Sequence, residues 1–115
     1  MEHQKFNEVL EARINSMRQV LSTKAGEYAT DVDRLANFKD GAEATKSTPE
    51  KFLWNLVTKH MIATRDFIFE IDDGNVRSME YWDEKLGDII NYMVLLEALV
   101  DERLNAPETT LLEEI

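Results

Sequence analysis

The chain has 115 residues and no cysteine, and its 13 Lys and Arg against 23 Asp and Glu give a formal net charge of −10. So acidic a chain is a poor ligand for phosphate backbones and anionic lipid surfaces, which argues against duplex nucleic acid and membranes as partners. The lack of cysteine excludes disulfides and thiolate chemistry. Residues 1–59 carry nine acids and nine bases and residues 60–115 carry fourteen and four, so the second half holds the net charge.

The start of the sequence, MEHQKFNEVLE, lacks the basic and then apolar run of a secretory signal. The longest nearly apolar stretch, residues 89–96, is too short to span a bilayer. These two features predict a cytoplasmic protein.

The first predicted helix covers residues 4–22, with an extension towards Tyr28 left open. Its apolar side chains recur at the three- and four-residue intervals of an amphipathic helix. These side chains are Phe6, Val9, Leu10, Ile14, Met17, Val20 and Leu21.

Residues 29–48 show no sustained apolar period, and we interpret them as a long loop with about one helical turn. A loop of this length in a compact domain is usually functional or disordered. The sequence leaves open whether the loop is a lid.

A second helix is predicted to begin at Thr48, because Thr48 can cap the free amides, Pro49 suits the first helical position and Glu50 favours the positive end of the helix. The helical period continues to the stop signal at residues 72–75, which includes Gly74.

The third predicted helix begins after Ser78 and ends near Asn105. We assign one apolar stripe of this helix to the core, and a second, opposite stripe suggests contact with another subunit. The predicted core stripe is Met79, Trp82, Leu86, Ile89, Ile90, Met93, Leu96 and Val100.

These elements predict an all-α fold, a bundle of three long helices with one long loop, completed by dimerisation. We expect a single domain over residues 1–105 and an acidic tail over residues 106–115.

Oxygen ligands on the third predicted helix suggest a magnesium site. Glu84 and Asp88 are one turn apart on one face, and Asn91 follows on the same side. Mg²⁺ is usually held by one or two carboxylates, water and substrate phosphates. The alternative is an ordinary solvated face, and the flanking Tyr92 and Leu95 make the two interpretations about equally favoured.

His60 lies in the apolar stripe of the second helix, where a buried, hydrogen-bonded histidine is more common than a ligand or base. Lys59 beside it could meet a phosphate as a point charge, or pair with Asp66 on the surface.

The segment at residues 24–38 offers a further mixture of polar groups. Glu27 supplies a carboxylate, Lys24 a cation, Asn37 an amide and Phe38 a ring. The spacing fits no calcium loop, and we find no phosphate-binding glycine loop or nucleophile elbow.

The blocks KAGEYATDVDRLANFK, TPEKFLWNLVTKH and WDEKLGDIINYMVLL resemble successive blocks of a small all-α family encoded by phages and prophages. That family is similar to the nucleotide-modification-associated domain group and, more remotely, to the MazG-like nucleotide pyrophosphohydrolases. The resemblance covers residues 20–103 and implies the cytoplasm of an infected or lysogenic bacterium.

The remote resemblance implies a helical oligomer that holds Mg²⁺ on carboxylate pairs and hydrolyses nucleoside triphosphates between the α and β phosphates. This chain departs from the expected E-x-x-E and E-x-x-D pairs, since it has E-x-x-x-D at Glu84 and Asp88.

Our leading hypothesis is a Mg²⁺-dependent nucleotide-binding protein that forms a homodimer or a higher homo-oligomer. Its catalytic form would be a nucleoside triphosphate pyrophosphohydrolase of phage type. The metal would be held by Glu27, Glu84 and Asp88, and the nucleotide would be contacted by Lys24, Asn37, Phe38, Lys59, His60, Asn91 and Tyr92. The alternative is a non-enzymatic oligomeric phage interaction protein whose acidic C-terminal half binds a basic host partner.

Overall fold

The computed structural model describes residues 1–23 and 33–106, and its regular elements in these ranges are all helices. The four helices are α1 (His3–Thr23), α2 (Ala36–Ala44), α3 (Pro49–Asp72) and α4 (Met79–Leu104). The predicted all-α class is therefore confirmed. The proposed extension to Tyr28 and the acidic tail after residue 106 lie outside the described ranges. In the part of the chain described, no helix has the length and apolar character needed to cross a membrane.

The start and stop signals of α3 act as the sequence predicts. The side-chain oxygen of Thr48 accepts a hydrogen bond from the backbone N–H of Lys51 at 3.2 Å, and Pro49 occupies the first turn. The helix stops at a turn in which Gly74 has φ +83°, a conformation that glycine adopts without a steric penalty.

The prediction of a loop with about one helical turn over residues 29–48 is wrong for residues 36–44, which form the nine-residue helix α2. Phe38 and Ala42 on α2 are buried, and Gly41 lets the helix approach α3 so closely that a Cβ there would lie 2.3 Å from the Phe52 ring. Two helical turns contain too few apolar residues to display a period, so tertiary packing decides this segment.

The core lies where α2 and α1 meet the antiparallel pair α3 and α4. Its buried residues come from the start of α2, from α3 and from the second half of α4, and the partly buried Leu21 of α1 packs against them. The buried members are Leu35, Phe38, Leu53, Leu95 and Leu99.

The prediction of which α4 side chains form the core is also corrected by the structure. Leu86, Met93 and Val100 are exposed, whereas Asn91, Leu95 and Leu99 on another side of the helix are buried. Both stripes repeat with a helical period, so the pattern could not tell which one α2 and α3 cover. The inference that α4 is apolar on more than one side stands, and the predicted stripe divides: Trp82 and Leu96 pack inwards, whereas Leu86, Met93 and Val100 face outwards.

Candidate functional site

His60 of α3 lies against Asp88 and Tyr92 of α4, and Asn91 follows Asp88 by about one turn of α4. We call these four residues the polar cluster. His60 Nδ1 lies 3.4 Å from Asp88 Oδ2, a charge pair only when the imidazole is protonated. The His60 and Tyr92 rings are 5.7 Å apart between centroids. Asn91 is 7% exposed and is buried beside the core leucines of α4.

Two buried atoms of the polar cluster make no hydrogen bond: His60 Nδ1 and Asn91 Oδ1. The contact of His60 Nδ1 with the Asp88 carboxylate does not have hydrogen-bond geometry. A buried polar atom without a partner typically costs about 1–3 kcal/mol. Since native proteins leave few such atoms, each one calls for an explanation, and a bound ligand is one.

Helix geometry places these groups together. On α3, His60 shares a face with the buried Leu53, Val57 and Phe67, so it points at α4. On α4, Asn91 belongs to the buried row that continues with Leu95.

The carboxylates proposed for the metal have different surroundings. Glu84 is exposed, while the Asp88 side chain is about one third exposed, at 35%. The solvated face, the alternative interpretation of this pair, therefore describes Glu84 better than Asp88, which contacts His60. Within residues 1–23 and 33–106, no group of three or more His, Asp or Glu side chains is arranged to hold a metal ion. Glu27, the third proposed ligand, lies outside the described ranges, as does Lys24.

Lys59 is exposed and lines a basic groove of about 470 Å³ beside the start of α3, which we call the lysine groove. Its lining includes three lysines and no carboxylate. The full lining is Thr45, Lys46, Ser47, Lys51, Phe52, Asn55, Leu56 and Lys59. Sequence reasoning missed Lys46 and Lys51; the signal available for Lys51 was its spacing of eight residues from Lys59, which puts both near one side of α3.

Asn37 and Phe38, both proposed to contact the base or sugar, have different environments. Asn37 is exposed on α2, whereas Phe38 is 2% exposed and belongs to the core. The Phe38 ring therefore cannot stack on a ligand without opening the core, which corrects its proposed role.

Ion pairs outside the polar cluster link the helices. Lys39 of α2 contacts the carboxylates of Asp33 and, on α4, Glu102. Hydrogen bonds to these two carboxylates raise the pKa of Lys39, and the hydrogen bond from Lys39 lowers the pKa of Asp33. These charges have internal partners, so we assign them a structural role.

No protein-family model, curated protein or solved structure matches the chain.

Proposed function

We propose that the protein binds a nucleotide together with Mg²⁺ at the polar cluster. The observation that carries this proposal is that two buried atoms, His60 Nδ1 and Asn91 Oδ1, make no hydrogen bond, and that His60 Nδ1 lies against the Asp88 carboxylate. An amide can accept from and donate to a base edge. We propose that Tyr92, which is partly buried beside His60, contacts the base or sugar with the part of its side chain that stays exposed.

The phosphates of the nucleotide would lie towards the lysine groove. Lys59 lines this groove and is the chain neighbour of His60, about 100° round the α3 axis from it. Three cations without a carboxylate among them form a local positive region on a chain of net charge −10. Such a region favours phosphate groups over other parts of a nucleotide.

The donor set fits Mg²⁺ in its usual protein environment. Glu84 and Asp88 lie one turn apart on α4, and one or two carboxylates with water and substrate phosphates are enough for this ion. When bound, Mg²⁺ would neutralise phosphate charge. Glu27 is the third ligand that we propose. Because the described residues supply only this carboxylate pair, we propose binding and make no claim of hydrolysis.

The sequence blocks that resemble a phage and prophage family support the same ligand class, because that family is similar to nucleotide-modification-associated domains. We propose that the protein acts as a homodimer in a bacterial cytoplasm. The remote similarity to MazG-like pyrophosphohydrolases indicates that pyrophosphate release from nucleoside triphosphates is the assay that would extend the proposal to catalysis.

Isothermal titration with a panel of nucleoside triphosphates in MgCl₂ tests the proposal. We expect one or more ligands to bind, Asp88→Asn and Asn91→Leu to weaken binding at least about tenfold, and the exposed Asp66→Asn control to bind like wild type. Absence of heat with every nucleotide for the wild-type protein would refute the proposal. Pyrophosphate released in the same mixtures would identify a hydrolase.

A second candidate function is supported by the exposed carboxylates on the outer side of α4. Glu97 and Asp101 line a shallow apolar groove with Met93, Val100 and other side chains. A non-enzymatic oligomeric phage protein could use this acidic half to bind a basic host partner. Binding of a basic peptide that weakens steeply with salt, and that is lost in Glu97→Lys, would favour this alternative.

A further inference from the structure

We propose that a second copy of this chain packs on one face of the α3–α4 pair, around a two-fold axis parallel to these helices. We call this surface the outer face, and its residues are Trp54, Met61 and Ile68 on α3 and Leu86, Met93 and Val100 on α4. The inference rests on the homodimer proposed above.

The outer face is apolar and regular. Trp54, Met61 and Ile68 are exposed by 48%, 41% and 50%, and they recur at intervals of seven residues. The exposed residues of α4 recur at the same interval. A seven-residue apolar repeat is the pattern with which helices pack in left-handed bundles.

The two rows lie on the same side of the helix pair. At 100° per residue, each row is rotated by roughly 70–90° in the same sense from the side that faces the other helix. Because α3 and α4 are antiparallel, equal rotations bring both rows to one surface. The face is thus a two-helix layer, as in half of a four-helix bundle.

Contacts across the helix pair fix the heights of these side chains. Glu50 meets Arg103, His60 meets Asp88, and Phe67 meets Trp82. On α4 the apolar row that includes the outer face runs from Met79 through Leu86 and Met93 to Val100. At this register each α3 side chain of the outer face lies at a height between two side chains of that α4 row.

A two-fold axis parallel to the helices preserves these heights and places α4 of one copy on α3 of the other. Trp54 then enters between Met93 and Val100 of the other copy, and Met61 enters between Leu86 and Met93. This is the knobs-into-holes arrangement of helical bundles, and it occurs twice because the interface is isologous.

The grooves of the molecule match the remaining exposed side chains. A groove of about 650 Å³ between α1 and α4 is lined by Phe6, Leu10, Met79 and Leu86, among others. At the heights of this groove, α3 carries Phe69 beside the outer face, with 59% of the residue exposed. In the proposed dimer the Phe69 ring fills the α1–α4 groove of the other copy.

Area and charge support a second copy as the occupant. Helices of 24 and 26 residues are about 36–39 Å long, and two of them side by side present about 700–800 Å², close to the 800 Å² that each partner of a standard interface buries. Lys51, at the edge of α3, reaches the height of Glu97 and Asp101 at the edge of the other copy's α4. Because the axis preserves height, this pairing of opposite charges occurs twice at the same end of the bundle, once on each lateral edge of the interface.

Sedimentation velocity tests the interface, with circular dichroism to confirm folding. We expect wild type to sediment at twice the 13.3 kDa of one chain. Phe69→Asp and Trp54→Asp should each raise the dimer dissociation constant at least about tenfold while remaining helical, because both side chains are already largely exposed in the single chain. Val76→Asp, in the turn before α4, is the matched control and should leave the dimer intact.

A charge exchange checks the register. Lys51→Glu and Glu97→Lys should each weaken the dimer, and the double variant should recover most of the lost affinity. A wild-type monomer at all concentrations would overturn both the interface and the homodimer. A dimer that is insensitive to Phe69→Asp and Trp54→Asp would overturn the interface alone.

Discussion

Arg103 in the last turn of α4 donates two hydrogen bonds to Glu50 in the first turn of α3. Its Nε donates to Oε2 at 2.6 Å and its Nη2 donates to Oε1 at 2.8 Å. The contact joins residues 53 positions apart in the chain and closes one end of the antiparallel pair. Each charge also lies at the helix end that favours its sign.

The Glu50–Arg103 pair predicts a pH dependence of stability. Its hydrogen bonds from Arg103 hold the pKa of Glu50 below its ordinary value, about 4.3. A carboxyl group whose pKa is lowered on folding stabilises the fold above its unfolded pKa, and this stabilisation is lost as the pH falls through the folded pKa. Because Arg103 is half exposed, we expect the Glu50–Arg103 pair to add only about 0.5–1 kcal/mol to the free energy of unfolding.

Urea unfolding of wild type and Glu50→Gln at several pH values measures this contribution. The difference in unfolding free energy should be present at pH 7 and shrink below about pH 4.3. Glu43→Gln, an exposed position on α2, is the control. A difference that stays constant down to pH 3 would show that Glu50 stabilises the fold by other means.

The residues that precede α3 and α4, Thr48 and Ser78, predict different losses of stability when each is replaced by alanine. Thr48→Ala should cost about 1 kcal/mol, because the Thr48 side chain accepts a hydrogen bond from Lys51 N–H. Ser78→Ala at the start of α4 should cost less, since the Ser78 side chain makes no capping bond. Thermal unfolding followed by circular dichroism compares the two, and equal losses would contradict the assignment.

The sequence was sufficient to predict α1, α3 and α4, because each is long enough to display a helical period and α3 carries strong end signals. It could not predict α2, whose nine residues are helical because Phe38 and Ala42 pack under α3. It also could not rank the two apolar stripes of α4. Periodicity reveals that a face is apolar, but only tertiary contacts decide which face becomes the core.

Two glycines predict a contrast between close packing against a rigid neighbour and against a flexible one. A Cβ at Gly41 would lie 2.3 Å from the Phe52 ring, which is partly buried against the core. A Cβ at Gly87 would lie 2.8 Å from Arg13 Nη1, the far end of a flexible side chain. Gly41→Ala should therefore destabilise by about 1–3 kcal/mol.

Gly87→Ala should lower the free energy of unfolding much less than Gly41→Ala. The better helix propensity of alanine offsets the cost of moving the Arg13 side chain away from Asp83. Urea unfolding of both variants gives the comparison. A Gly87→Ala loss as large as that of Gly41→Ala would show that the α1–α4 contact is as rigid as the core.

The candidate site was predictable in part. The spacing of Asp88 and Asn91 on one helix face could be obtained from the sequence, as could the position of His60 on the inner face of α3. That Glu84 is exposed, and that Lys46 and Lys51 join Lys59 in one groove, depends on how α2 and its following turn pack. Such details need coordinates, because short turns place side chains by contacts that no periodic pattern records.

The buried Oδ1 of Asn91 has no hydrogen-bond partner. Replacing Asn91 with leucine removes an unsatisfied buried oxygen and adds apolar surface beside Leu95, so Asn91→Leu should raise the free energy of unfolding by about 1–2 kcal/mol. The same change should weaken nucleotide binding at least about tenfold, since functional sites often retain groups that cost stability. Asn55→Leu, an exposed position on α3, is the control and should leave stability nearly unchanged. Urea unfolding without ligand measures the effect, and a loss of stability in Asn91→Leu would show that the amide stabilises the folded chain itself and would remove the argument that it is kept for a ligand.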